Sequence, residues 1–146
     1  MLTSAHGLHD RLGYLLKHAQ LELTERTTGA LAPLGINGRE LAVLTVLGAG
    51  EALAQQQAAG RLGIDRTTMV DLVDALEKKD LVERRPDPAD RRRNLVHLTP
   101  DGKAALEHGE RNYRAAEGEF LGALDETEAA QLKELLRRVL GIPVAT

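Results

Sequence analysis

The chain contains no cysteine and no tryptophan, and its 146 residues include only one Phe and two Tyr. Without cysteine there is neither a disulfide scaffold nor thiol-based sensing. With so few large rings, namely Tyr14, Tyr113 and Phe120, the core has to be built from Leu, Val and Ala. Long apolar runs are also missing. None approaches the ~18 residues that a membrane span needs, and the N-terminus lacks the basic-then-apolar form of a signal peptide, so the expected setting is the cytoplasm with no membrane contact. A glycine-rich phosphate loop, Gly-x-Ser-x-Gly and His-Glu-x-x-His are all absent. The carboxylate pairs Glu117/Glu119 and Asp125/Glu126 fall on polar helix faces or at caps. No enzyme and no cofactor is expected. His6, His9 and Asp10 lie close in sequence, but three candidate ligands on a chain terminus make a weak case and no metal is expected.

What is present is enough for one ordinary domain: 42% of the residues are hydrophobic and 28% charged. The net charge of −3 argues weakly against nucleic acid. Its distribution argues the other way. Between Arg84 and Arg93, five arginines outweigh Asp87 and Asp90 by three charges, while the acidic residues lie mainly in the terminal helical segments. A basic tip on an acidic body suits specific DNA binding with weak non-specific attraction.

Helical periodicity starts early. Leu8, Leu12, Leu15, Leu16, Ala19 and Leu23 form one apolar face, predicting a helix over roughly 9–30 that stops before Pro33. Asn37 with Glu40 reads as a capping box opening a second helix, which ends at Gly48-Ala49-Gly50. A short third helix covers about 55–62 and stops at Gly63. Asp65 caps a fourth, whose buried stripe is Met69, Leu72, Val73 and Leu76. Two strands follow, Leu81–Arg85 and Asn94–Leu98, joined by an eight-residue loop with two prolines. Thr99-Pro100 restarts helix to about Leu121, and Asp125 with Glu128 caps a last helix that ends at Gly141. The expected fold class is mainly α with a small β-hairpin wing: a winged helix-turn-helix with N- and C-terminal dimerisation helices.

The entry Leu62-Gly63-Ile64-Asp65-Arg66-Thr67-Thr68, the run Leu76-Glu77-Lys78-Lys79, and Asp90-Arg91-Arg92 followed by Leu98-Thr99 resemble the MarR family of bacterial transcriptional regulators over nearly the whole chain. The resemblance implies an obligate homodimer with intertwined terminal helices over residues 1–33 and 100–146, and a winged helix-turn-helix over 34–99. It implies that the fourth helix reads the major groove of a pseudo-palindromic double-stranded operator. It also implies that Arg92 enters the minor groove while Asp90 braces the wing. Departures from the family pattern are Ala54 where Ser or Thr is common, Ala58 for Leu, Asp80 for Gly, and Val70 and Asp71 for Thr and Arg.

The candidate DNA-binding residues are therefore Arg66, Thr67, Thr68, Asp71, Asp90, Arg91, Arg92 and Arg93. Asp71 is open to three roles: accepting from cytosine N4, orienting Arg66 or a wing residue, or standing as a solvated residue. Relatives that release DNA on binding a small aromatic or phenolic anion imply an effector as a further partner. In the first helix, Arg11, Tyr14, Lys17 and His18 fall within two turns, with Tyr14 and His18 on one face. They can hold a carboxylate with an aromatic ring, or serve as intersubunit salt bridges and solvated surface. The best reading is a repressor with ligand-modulated DNA affinity. A winged module that binds proteins without specific DNA recognition is the alternative, favoured slightly by the acidic net charge and disfavoured by the arginine wing.

Overall fold

Capping chemistry sets the helix boundaries, and it does so where the sequence puts the caps. The computed structural model describes residues 7–143. Its elements run α1 (Leu12–Leu31), a 3-10 turn (Ala32–Leu34), α2 (Gly38–Leu47), β1 (Leu53–Ala54), α3 (Gln55–Leu62), α4 (Arg66–Lys78), β2 (Val82–Pro86), β3 (Asn94–Leu98), α5 (Pro100–Phe120) and α6 (Glu126–Leu140). Asn37 and Glu40 exchange side-chain and backbone hydrogen bonds at the start of α2, and Asp125 and Glu128 do the same at the start of α6. Ala54 has no oxygen to cap α3, and only half of a box survives: Gln57 Oε1 accepts the Ala54 N–H at 3.0 Å.

Three boundaries differ from expectation. The first long helix begins at Leu12, because Arg11 is extended and acts as its N-cap. Strand β2 starts at Val82 and runs on through Pro86, which pairs with Asn94. Proline is tolerated there because the strand order β1-β3-β2 leaves β2 at an edge. The sheet has a third strand, the two-residue β1, paired antiparallel to β3 through Leu53↔Val96 and Ala54↔Leu95. So short a strand has no periodicity to show in the sequence.

The core follows the aromatic-poor composition. Leu31, Val43, Leu44, Met69, Val73, Leu76, Val82 and Val96 are buried to 2% exposure or less, and no ring is among the fully buried side chains of the described residues. Helix α1 packs along α5, and α2, α3 and α4 pack on one another and on the sheet. Leu72 is only partly buried, at the margin of the α4 stripe.

Two tight places join α4, the wing and α5. Asp80 takes φ 59°, the left-handed conformation in which Asp is better tolerated than most residues. Its carbonyl accepts the Thr99 hydroxyl at 2.6 Å, and that hydroxyl in turn accepts the Gly102 N–H at 3.0 Å. At Gly102 a Cβ would stand 1.9 Å from the Leu81 carbonyl oxygen. Gly102→Ala should therefore destabilise the protein by ~1–3 kcal/mol or more, because backbone has to move. Gly118→Ala, in the same helix with nothing within 4 Å of its Cβ, should stabilise by ~0.5–1 kcal/mol. Thermal unfolding of the two variants checks this, and shifts of equal sign would contradict the packing at Gly102.

Candidate nucleic-acid interface

The N-terminal end of α4 is organised by one carboxylate. Asp65 Oδ1 accepts the Thr68 N–H at 2.6 Å. That backbone bond, the Thr68 side chain and the Thr67 N–H together hold the Asp65 carboxyl below the ordinary value of 3.8. The Thr68 N–H is thus already used, so this helix end offers a phosphate less free donor capacity than a bare terminus. Arg66, Thr67 and Asp71 are exposed and Thr68 is half-buried. Asp71 makes no side-chain hydrogen bond to Arg66 or to a wing residue among the described residues, which leaves the bracing role without support.

The wing loop is tied to itself. Asp87 is 5% exposed. Its Oδ1 accepts the Ala89 N–H at 2.9 Å and its Oδ2 accepts Arg93 Nε at 2.7 Å. The Asp87 N–H donates to the Arg93 carbonyl at 2.9 Å, closing the loop. The Ala89 N–H, then the Arg93 guanidinium, hold the Asp87 carboxyl below 3.8. Asp90 Oδ1 accepts the Arg92 N–H at 3.1 Å. Sequence reasoning singled out Asp90 and missed Asp87, although Asp87 carries more of the turn. The signal available was an Asp two residues before a main-chain reversal, the pattern of an Asx turn.

The five wing arginines divide by partner. Arg84 is fully engaged: Nε donates to Gln55 Oε1 at 2.8 Å, Nη2 to Asp74 Oδ1 at 2.7 Å and Nη1 to Glu77 Oε1 at 3.1 Å. It therefore pins β2 onto α4 through two carboxylates of that helix. Arg85 pairs with Glu83 and Arg93 with Asp87. Among the described residues, only Arg91 and Arg92 of the five have no ion-pair partner. Sequence counting treated the run as one patch of charge, but three of its members are spent on intramolecular carboxylates. Arg66, Gln55, Gln56, Arg92, Arg93 and Asn94 line a notch of about 230 Å³ between the start of α4 and the wing. The expected DNA-binding residues Arg66, Arg92 and Arg93 are thus brought together.

Of the expected effector residues, two come together on α1. Tyr14 and His18 stack with ring centroids 4.1 Å apart, and His9 lies 5.5 Å from Tyr14. Arg11, Lys17 and His18 are exposed and Tyr14 is half-buried. A cleft of about 500 Å³ lies elsewhere, between α2 and α5, with Leu41, Val46, Tyr113, Arg114 and Lys133 among its walls. The Glu117–Lys133 ion pair sits at its edge. The α1 cluster and this cleft share no residue. Among the described residues, no group of three His, Cys, Asp or Glu side chains is placed to hold a metal ion; His6 lies outside them. No single helix among these residues is long and apolar enough to cross a membrane.

A capped helix beside a basic hairpin defines a winged helix-turn-helix. Known proteins carry the assignment further. The sequence pattern of the MarR family matches residues 34–93. A Thauera aromatica protein named for transcriptional regulation of the hcr operon is 33% identical over 133 residues, covering 91% of this chain and 77% of that one. The transcriptional repressor CouR bound to a 23-mer DNA duplex superposes with TM-score 0.86 at 31% identity, covering 91% of this chain and 94% of the other. CouR from Rhodococcus jostii RHA1 bound to p-coumaroyl-CoA gives TM-score 0.80 at 28% identity, covering 95% and 98%. The chain belongs to the MarR family, whose members are transcriptional regulators rather than enzymes.

Asp87 gives a prediction in which two physical effects oppose each other. Asp87→Asn removes a negative charge beside DNA, which by charge alone tightens binding. It also frees the loop and Arg93, which disorders the wing. The expected outcome at neutral pH is weaker binding to a specific duplex, with binding to random duplex unchanged or stronger. In the wild type, a carboxyl with a lowered pKa stabilises the turn above its unfolded value of 3.8, and that stabilisation is lost as pH falls below it. Fluorescence anisotropy on both duplexes decides the point; tighter binding to both would show that the clamp does not position the wing.

Proposed function

We propose that this protein is a homodimeric, cytoplasmic transcriptional repressor that binds a pseudo-palindromic operator and is released by a small aromatic or phenolic ligand. The observation that carries the reading is the notch where Arg66 of α4 meets Arg92 of the wing, with Arg92 unpaired and its backbone held by Asp90. The likeness to CouR bound to a DNA duplex supports double-stranded DNA as the partner. Residues 34–99 form the DNA-binding module; 1–33 and 100–146 form the dimerisation region.

Exposed apolar side chains support the dimer. Leu12, Leu15, Leu16 and Leu21 on α1, and Leu135, Val139 and Leu140 on α6, are 45–76% exposed. Two terminal helices with such faces need a partner to cover them. A two-fold dimer places its two reading helices about 34 Å apart, one turn of the duplex. Thr67, Thr68 and Asp71 then face bases or phosphates with Arg66, while Arg91 and Arg93 follow the backbone beside Arg92.

Release needs a ligand that favours another spacing. A coupling of ~1–3 kcal/mol corresponds to a 5- to 150-fold change in affinity. The aromatic acyl ligand of CouR supports the ligand class. The cleft at Tyr113, Arg114 and Lys133 is the better seat within one chain, since it has volume, a ring and the Arg114 guanidinium, which has no ion-pair partner among the described residues, whereas Lys133 is paired with Glu117. Arg11, Tyr14, Lys17 and His18 contribute only if a partner's surface closes over them. A thermal-shift screen of aromatic carboxylates, followed by DNA release, tests the class. Loss of response in Tyr113→Ala with retention in Tyr14→Phe/His18→Ala is the expected pattern, and the reverse pattern would move the site to α1.

The DNA reading is tested by binding isotherms over a salt series. Arg92→Ala should cost ~1–3 kcal/mol on the specific duplex. Arg91→Ala should weaken all sequences alike and lower the salt slope by about one. If neither substitution changes binding, the wing is not a DNA element. Sedimentation at micromolar concentration should show a dimer; a stable folded monomer would remove the half-site geometry.

A further inference from the structure

The C-terminal end of α4, remote from the reading face, carries a polar knot. The Lys79 ammonium reaches three oxygens: Glu40 Oε2 at 2.7 Å, Glu40 Oε1 at 2.9 Å and the Gly35 carbonyl at 2.8 Å. Each partner belongs to a different part of the joint between the terminal helices and the winged module. Gly35, at φ 71°, ends the 3-10 turn that links α1 to α2. Glu40 is 2% exposed and sits in the first turn of α2, where its Oε1 also accepts the Asn37 N–H at 3.1 Å. Among the described residues, no other side-chain hydrogen bond or ion pair joins α4 to the segment between α1 and α2. A second polar tie lies nearby, where Asn112 of α5 donates to the Ala30 carbonyl at 3.0 Å.

The apolar stripe of α4 holds the helix in the module without fixing its direction sharply, since hydrophobic burial is non-directional. An ammonium held by three short charge-assisted contacts, two to one buried carboxylate and one to a backbone carbonyl, fixes the position of the helix end that carries it. We infer that Lys79 is a positioning residue: with Glu40 and Gly35 it fixes the angle between α4 and the end of α1, and thereby the half-site spacing that the dimer accepts. This rests on the dimeric DNA-binding reading above. The lever is long enough to matter. Thirteen residues of α-helix span about 20 Å, so a tilt of about 10° at Lys79 moves Arg66 by roughly 3.5 Å. That is about one base-pair step, and one inserted base pair also turns the second half-site by about 36°.

The test begins with duplexes selected by the wild-type protein from a randomised library, which define a half-site pair and its spacing. Variants of that duplex then carry one or two base pairs more or fewer between the half-sites. Two proteins are compared with wild type. Lys79→Met removes the knot but leaves a buried carboxylate unpaired. Glu40→Gln/Lys79→Met removes it while leaving no orphan charge, and Gln at position 40 keeps the oxygen that accepts from Asn37. Thermal unfolding confirms that each is folded.

Wild type should lose about 10-fold or more in affinity for a one-base-pair change of spacing, whereas the double variant should lose about 3-fold or less or prefer another spacing. Affinity for random duplex and the salt slope should stay at wild-type values in both variants. If the double variant keeps the wild-type spacing profile, with only a uniform loss of affinity, Lys79 acts on stability alone and the inference is overturned. If wild type itself is indifferent to spacing, the dimeric reading fails, and the positioning role with it.

Discussion

Three side chains hold α4 against the rest of the molecule. Met69, Val73 and Leu76 are buried to 1% exposure or less, and they meet residues from α2, α3 and the sheet in one cluster. Each such burial is worth about 1.5–3 kcal/mol, and the rest of the site depends on it. With that stripe inside, helical geometry turns Arg66, Thr67 and Asp71 outward. The same cluster takes in Val82 and Val96 from the wing strands, so the hairpin is registered to the helix through a shared core. Polar ties then sharpen what the core has positioned: Arg84 to Asp74 and Glu77 on one flank, Lys79 to Glu40 at the far end.

The electrostatics reconcile an acidic protein with a polyanionic partner. A net charge of −3 opposes indiscriminate binding, and the wing spends three of its five arginines inside the chain. Among the described residues, what remains unpaired on the wing is local: Arg92, which shares the notch with Arg66, and Arg91, which lies beside Pro86 and Pro88. On the proposed reading, so few free cations gain affinity only in a particular approach to the duplex.

Much of this was legible in the sequence, and the boundary of legibility is physical. The caps at Asn37, Asp65, Thr99 and Asp125 act within three residues of themselves, so their spacing is visible in the chain. The stripe of α4 repeats at helical period and reads equally well. Strand β1 did not, because two residues carry no period and their conformation is decided by pairing with Val96 and Leu95. Neither did the fate of Arg84, whose partners lie 7, 10 and 29 residues away, nor that of Lys79, whose partner Glu40 is 39 residues distant. Ion pairs of that range depend on how elements pack, and a charge count along the chain cannot tell a spent arginine from a free one. The cleft beside Tyr113 belongs to the same class: its walls come from helices far apart in sequence, whereas the Tyr14 and His18 stack was found because its members are four apart.

The proposed function requires two copies that present the α4 ends and wings to one face of a duplex at a separation of one helical turn. Hydroxyl-radical footprinting on the selected duplex measures this directly, because cleavage reports sugar accessibility nucleotide by nucleotide. Two-fold-symmetric protection is expected on both strands, with paired half-sites centred about 10 base pairs apart and flanking minor-groove protection where each Arg92 enters. A single protected half-site, or protection without two-fold symmetry, would contradict the proposed function.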